Sequence, residues 1–417
     1  MKLDSPVLDS PVKTGAVEGK GPVAKPLPAP NSDFYQLADT LNAEERALLQ
    51  QVRTFMETKV APIINKYWVE DSFPFELLPA FKELNIGGLG MQGYGCRGGS
   101  ALLFGLVAME MARVDSSIAT FFGVHNGLAM GSVFATGSEE QKQKWLPQMA
   151  RFEKIGCFGL TEPLVGSGAS GGLLTTAKRD GDTWVLNGQK RWIGNSTWCD
   201  LSVIWARDVA DHQVKAFLIE NKTTPGFSVE KIQNKIGLKV VQNGEITLKD
   251  VRLPEANHLQ AGASFRDTAR VLKMTRYLVA WEATGCQMGA FEHAVKYSQD
   301  RLQFGKPIGS FQLIQDLLAK MLANITACQC MVLRMAQLHA EGKLTDAQAA
   351  LSKAFTTAKT RETVAWAREI LGGNGLSTDY HVARYFTDCE ALYSYEGTYQ
   401  MQNLIVGKAI TGFSAFL

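Results

Sequence analysis

Over residues 156–254 the chain drops its helical period, and short β-branched and aromatic runs alternate with turn pairs. Trp184-Val185-Leu186 precedes Asn187-Gly188, further runs follow at 201–205 and 216–219, and Asn243-Gly244 separates two more. Several strands at short spacing, with no helices between them, predict an antiparallel barrel or sandwich. That block forces the helical sequence on either side into separate layers. At 417 residues the chain is also too long for one ordinary core.

The flanks carry helix signals. Asn42 is placed to cap a helix with Glu44 and Glu45 in its first turn and Leu48, Val52, Phe55 and Met56 on one face. Pro62 should stop or kink it. Ser138 with Gln141 makes a capping box ahead of Trp145 and Leu146, and glycine-rich turns occupy 93–99. The helical period returns near residue 264, with long runs over 267–300 and 311–341. Thr345 with Gln348 opens a further helix that stops at Gly372-Gly373-Asn374-Gly375, and a last segment includes Leu404 and Ile405. The expected class is α+β: a Pro-rich flexible leader (1–32), a helical domain (33–155), an antiparallel β-barrel (156–263) and a C-terminal four-helix bundle (264–417). The leader opens with a tandem copy, Leu3-Asp4-Ser5-Pro6-Val7 and Leu8-Asp9-Ser10-Pro11-Val12, and shows neither a signal nor a transit pattern.

Forty-three basic against 41 acidic residues leave almost no net charge, and no basic run calls for nucleic acid. Polar residues interrupt the apolar stretches, so no transmembrane helix is expected. Seven scattered cysteines read as reduced thiols, and the histidines show no ligand spacing, so no metal site is expected. With the C-terminal Ala415-Phe416-Leu417 unlike a peroxisomal Ser-Lys-Leu ending, a cytoplasmic location is expected.

The stretch with most chemical promise is Tyr395-Glu396-Gly397-Thr398, an acid among aromatics followed by glycine. Apolar neighbours raise a carboxyl pKa toward the range a general base needs, and the glycine lets a ligand approach the backbone. Taken alone, a Glu between tyrosines is more often a surface carboxylate. Gly166-Ser167-Gly168-Ala169-Ser170-Gly171 matches the dinucleotide fingerprint only literally. Pro163 interrupts the approach, a strand and the turn Asp180-Gly181-Asp182 follow, and basic and amide residues stand where the ribose acid belongs. These glycines mark a loop, not a nicotinamide site.

Four motifs in register resemble the acyl-CoA dehydrogenase/acyl-CoA oxidase family. They are Leu160-Thr161-Glu162-Pro163 through Gly166-Ser167, Lys190-Arg191-Trp192-Ile193, Arg301-Leu302-Gln303-Phe304-Gly305, and residues 371–375 with Tyr395-Glu396-Gly397-Thr398. The resemblance runs from about residue 33 to the C-terminus and is strongest to glutaryl-CoA dehydrogenases and plant peroxisomal short-chain acyl-CoA oxidases. It implies FAD as cofactor, an acyl-CoA thioester as substrate and a homotetramer. Glu396 would be the catalytic base, with Ser167, Arg276 and Gly397 on the substrate side. Phe158, Leu160, Thr161, Trp192 and Gly194 would face the flavin. Arg301, Gln303, Phe304, Gln312, Glu369 and Gly373 would meet the adenosine-pyrophosphate part, partly across a subunit boundary, with Thr398 and Gln400 completing it. The residue types suit these roles: Arg301 is a planar fork for pyrophosphate, Trp192 an apolar wall, and the threonines small donors.

Three departures refine the expectation. Gly168 replaces an acid that follows Gly-Ser in the family, Gly194 replaces a hydroxyl residue, and Ala119 stands where glutaryl-CoA dehydrogenases have an arginine for a distal carboxylate. With no cation there, an uncharged short or medium acyl group is expected. Electrons would pass to an electron-transfer flavoprotein or, as in the oxidases, to oxygen. A scaffold that keeps the fold without turnover, or a monooxygenase or nitroalkane oxidase on the same fold, are the remaining readings.

Overall fold

The computed structural model describes residues 26–415. The tandem repeat and the last two residues lie outside that range. Ser32, counted with the leader by sequence, is buried, its hydroxyl donating to Glu292 Oε1 (2.5 Å) and its carbonyl accepting from Gln329 Nε2 (3.0 Å).

Helix α1 (Ala43–Phe55) starts at the expected Asn42 cap, which closes a full capping box with Glu45. It does not stop near Pro62. A π-helical turn over Met56–Val60 leads straight into α2 (Ala61–Glu70), and the proline sits in the first turn of α2, where an amide proton is dispensable. After α3 (Leu78–Leu84) come α4 (Ala101–Val114) and α5 (Ser116–Phe122). A second π-helical segment, Gly123–Met130, then joins α6 (Gly131–Thr136), and α7 (Glu139–Ala150) opens on the Ser138–Gln141 box.

The middle region is one curled seven-stranded sheet of β1 (Gly156–Gly159), β2 (Thr176–Asp180), β3 (Thr183–Ile193), β4 (Leu201–Asp208), β5 (Val214–Glu220), β6 (Phe227–Lys231) and β7 (Gly244–Pro254). Its order is β1-β4-β2-β3-β7-β6, with β5 on β4. Most ladders are antiparallel as expected, but β1–β4 and β2–β4 are parallel. Asn187-Gly188 is not a hairpin turn. Strand β3 runs through it with a register shift against β7, and the β2–β3 turn is Gly181 with its neighbours. The Gly166–Gly171 run is an exposed loop ending in the four-residue α8 (Ala169–Gly172), held by Gly172 and Gly171 N–H groups donating to Gly168 O.

The C-terminal helices are α9 (Phe265–Asp300), α10 (Gln312–Ala340), α11 (Asp346–Ile370), α12 (Val382–Ser394) and α13 (Tyr399–Thr411). The expected fourth helix is thus two shorter ones, broken by a turn that contains Glu396. Helices α4 and α9 cross in near backbone contact. A Cβ on Gly285 would stand 2.0 Å from Met109 O, and one on Gly105 would stand 2.3 Å from the Trp281 ring. Two helical stretches, 116–136 and 312–340, are long and apolar enough to cross a bilayer by length and composition, contrary to the sequence expectation. The first lies mostly inside the fold, as a core helix does.

Candidate active site

Tyr395 is extended, Glu396 and Gly397 take φ of +53° and +86°, and Thr398 caps α13 by accepting from Met401 N–H (3.3 Å). A left-handed Glu is costly and persists only where its surroundings over-determine it. They do so here. Gln402 Nε2 donates to the carbonyls of Glu396 (2.9 Å) and Gly397 (3.0 Å), and the buried Lys353 Nζ donates to Gly397 O (2.5 Å). A Cβ at Gly397 would stand 2.5 Å from Gln402 Nε2, so this bracing requires glycine.

The Glu396 side chain turns toward α9, where Thr275 Oγ1 donates to its Oε2 (2.6 Å). Burial raises the Glu396 pKa; the Thr275 hydrogen bond and the Lys353 and Arg276 charges pull the other way without cancelling it. Arg276 Nε is buried without a hydrogen-bond partner among the described residues. Glu396 therefore combines a raised pKa with one anchored oxygen, the two properties a positioned carboxylate base needs.

It opens on a narrow cavity of about 40 Å³. Val124 and Leu128 of the π-helical segment and Leu278 and Val279 of α9 supply apolar walls. Thr120, Tyr395 and Glu282 supply polar atoms, with no cation among the described residues of the lining. Ala119 is fully buried and brings no charge to it. Glu282 is 3% exposed and accepts from Tyr395 Oη (2.7 Å). Burial foremost, with the Glu396 charge adding to it, pushes its pKa up to about 8, against the Tyr395 hydrogen bond. The sequence reading passed over both Glu282 and Lys353. Glu282 had a signal: it is the only charged residue in the otherwise uncharged stretch 277–291 of its helix.

The predicted cofactor residues fall into two groups. In the first, Phe158 and Leu160 are buried at the end of β1, and Thr161 O accepts from Arg191 N–H (2.8 Å). Beneath that loop the buried Lys190 Nζ bonds Leu160 O (3.0 Å) and Glu162 Oε1 (2.8 Å), and Glu162 accepts from the N–H groups of Leu174 and Thr175. Trp192 is not a sheet-core residue: it is 53% exposed at φ +66°, an apolar ring held out at the surface. Gly194 is buried, and a Cβ there would meet Val241 and Val124 at 3.2 and 3.3 Å. Ser167 and Gln400 are exposed, and Thr398 is half-buried.

The second group surrounds a cavity of about 960 Å³ where α9, α10 and α11 end or begin. Arg301, Gln303, Phe304, Gln312, Glu369 and Gly373 all line it. Phe304 is 92% exposed, a large ring with almost no cover from its own chain. Thr275 and Arg301 lie toward opposite ends of α9, ~40 Å apart at 1.5 Å per residue. Within one chain the two groups therefore stand at separate places. A bidentate cation, an exposed aromatic and a roomy cavity fit a dinucleotide's phosphates and base, and the exposed indole fits a ring stacked at the sheet.

A helical layer, a curled sheet and a helical bundle, with a braced glutamate facing an apolar slot, define an oxidoreductase of the acyl-CoA dehydrogenase type. The acyl-CoA dehydrogenase N-terminal, middle and C-terminal domain families match residues 42–153, 157–251 and 265–411. The chain belongs to the acyl-CoA dehydrogenase family and is, as that family is, an FAD-dependent enzyme. It is 33% identical to an acyl-CoA dehydrogenase of Bacillus subtilis over 88% of this chain and 98% of the relative. It is also 33% identical to a short-chain specific acyl-CoA dehydrogenase of Megasphaera elsdenii, over 88% and 97%. Among solved structures, a glutaryl-CoA dehydrogenase from Mycobacterium smegmatis superposes with a TM-score of 0.89 at 36% identity, covering 93% of this chain and 99% of that one. A glutaryl-CoA dehydrogenase from the same organism, solved in complex with FADH2, gives 0.90 at 33%, covering 94% and 100%.

Proposed function

We propose that the enzyme introduces an α,β double bond into a short- or medium-chain, uncharged acyl-CoA, with Glu396 as base. The observation that carries this is Glu396 itself: left-handed, braced by Gln402 and Lys353, its pKa raised, one oxygen held by Thr275 and the carboxylate facing an apolar slot. Bound FAD supplies the acceptor for the hydride leaving the β carbon. Glu396 takes the proton from the α carbon through the oxygen Thr275 leaves free, and its backbone N–H is the donor we assign to the thioester oxygen. With FAD bound, exposed Trp192 would cover the flavin against water, and Thr161 and Thr398 would orient it.

The cation-free lining supports an uncharged acyl group, since a buried carboxylate there would lack a partner. The ~40 Å between Thr275 and Arg301 supports a homotetramer in which the Arg301 cavity receives the adenosine end of a neighbouring subunit's FAD. For the acceptor we favour an electron-transfer flavoprotein. Val241 and Val124 stand close to the place a side chain at Gly194 would take, so the glycine opens little room for oxygen.

Anaerobic titration of the yellow protein with acyl-CoAs of graded length tests this. The wild type should bleach with an uncharged short chain, while Glu396→Gln keeps its FAD and does not bleach. Undiminished bleaching of that variant would overturn the assignment. Admitting air afterwards decides the acceptor, with peroxide release marking the oxidase alternative.

A further inference from the structure

Glu282 is out of place in a slot built for hydrocarbon. It is 97% buried, since only 3% of its surface is exposed, and it lines the same narrow cavity as Glu396. Its two oxygens are used differently. Oε2 accepts from Tyr395 Oη (2.7 Å), which also lies 3.3 Å from Thr120 Oγ1. Oε1 takes part in no hydrogen bond among the described residues and faces Gly123, where a Cβ would stand 3.0 Å from it. Gly123 is itself a lining residue, so the free oxygen is directed at the cavity. An oxygen that opens on the cavity without a partner among the described residues is placed to meet a polar ligand atom, and an apolar ligand that filled the slot would strand it at a cost of about 1–3 kcal/mol.

The α4–α9 crossing shows that this is a fixed placement. Gly105 accommodates the Trp281 ring and Gly285 accommodates Met109 O, which locks the turn of α9 carrying Glu282 against α4. On that fixed backbone, the Tyr395 hydrogen bond and burial hold the Glu282 carboxyl at the slot.

We propose that Glu282 is a specificity-determining residue, and that the acyl group carries a hydroxyl on its chain beyond the β carbon, which pairs with Glu282 Oε1. This rests on the acyl-CoA desaturation reading above. A hydroxyl both donates and accepts, so it meets Oε1 whether the carboxyl is ionised or neutral. An ammonium group would need the carboxylate form in a slot with apolar walls, and a terminal carboxylate would meet a like group. A methyl group would leave Oε1 unpaired. Discrimination by a site built to bond a hydroxyl is large for that reason: the analogue lacking it strands the buried partner. The narrow cavity restricts the chain to a short one, which makes 4-hydroxybutanoyl-CoA the natural probe and pentanoyl-CoA its isostere with methyl in place of hydroxyl.

Binding is measured apart from turnover in FAD-loaded Glu396→Gln protein by calorimetry with 4-hydroxybutanoyl-, 4-aminobutanoyl- and pentanoyl-CoA. The hydroxy ligand should bind at least about ten-fold tighter than the other two. Adding Glu282→Leu should abolish or invert the preference. Adding Glu282→Gln, which keeps the shape and a polar oxygen, should retain part of it and serves if the leucine variant fails to fold. In otherwise wild-type enzyme the same preference should appear in kcat/KM. Three results overturn the proposal: pentanoyl-CoA bound as tightly as the hydroxy ligand, a preference for the amino ligand, or a hydroxyl preference unchanged by Glu282→Leu. If butanoyl-CoA bleaches the wild-type flavin and one of these is found, this proposal alone falls. If no acyl-CoA bleaches it, the desaturation reading falls and takes this proposal with it.

Discussion

Thr275 Oγ1 donates to Glu396 Oε2 across 2.6 Å, tying helix α9 to a turn 121 residues further along the chain. The bond fixes which carboxylate oxygen is free to receive a proton, and it stabilises the ionised form. Thr275→Val keeps the shape and removes the donor, so the Glu396 pKa should rise further. Because the base must be deprotonated, the ascending limb of the kcat pH profile should move to higher pH, and kcat near pH 7 should fall about ten-fold. Thr275→Ser should restore both. An unchanged limb in the valine variant would show that the hydroxyl does not act on the base.

Lys353 tests the same carboxylate from the opposite side. Burial pushes its pKa down to about 7, below the ordinary 10.5, although the Glu396 charge works against that shift. Between those two values the unfolded chain holds more protons than the folded one, so the Lys353 contribution to stability rises with pH from about 7 to 10.5. Lys353→Met should flatten that rise in urea titrations run across the window. It should also move the ascending limb of activity upward, because a positive charge that lowers the Glu396 pKa is gone.

Gly397→Ala should damage the base without touching its side chain. At φ +86° an alanine is strained, and its Cβ would stand 2.5 Å from Gln402 Nε2, displacing the donor that holds both carbonyls of the turn. The expected cost is about 1–3 kcal/mol in chemical unfolding. kcat should drop more than KM changes, since the base is misplaced while the walls of the slot remain.

How much of this was legible in the sequence depended on how local the signal was. The Asn42 cap and the Ser138 and Thr345 capping boxes form as read, because each involves residues three apart. Glu396 beside Gly397 was legible as an acid next to a glycine that permits close approach, but the turn there, which splits the last helix in two, was not. Asn187-Gly188 misled because a turn-forming pair also suits a bulge, and only the β7 partner decides between them. Pro62 misled because a π-helical turn absorbed the break. Glu282 and Lys353 were passed over for a different reason. A charged residue in a helix is normally solvated, and what buries these two is packing between helices far apart in sequence.

Arg301→Ala should separate cofactor retention from the chemistry. Arg301 lines the large cavity at the far end of α9 and lies ~40 Å from Thr275. The variant should purify with less flavin and lose it faster on dilution. Molecules that keep FAD should show the wild-type ascending limb, because nothing near Glu396 has changed. A shifted limb at full flavin content would place Arg301 in the chemistry and contradict the assignment.

The buried Lys190–Glu162 pair gives a stability prediction with an internal control. Both side chains are excluded from solvent, at 0% and 2% exposure, and Glu162 also accepts from two backbone N–H groups. Burial opposes the ionised form of each, and their mutual attraction answers it: Glu162 ends below the usual carboxylate range, while Lys190 is still pushed down to about 8. Removing one partner of such a pair strands the other, so Lys190→Met should cost about 3–5 kcal/mol in urea unfolding. The double variant Lys190→Met/Glu162→Gln leaves no buried charge, and the Gln oxygen can still accept from one of the two N–H groups, Leu174 or Thr175. It should therefore be more stable than Lys190→Met alone, a coupling no pair of independent sites would show. Because Lys190 also holds Leu160 O, both variants should loosen the Leu160-Thr161 loop, and flavin content should fall in each even where the fold is recovered.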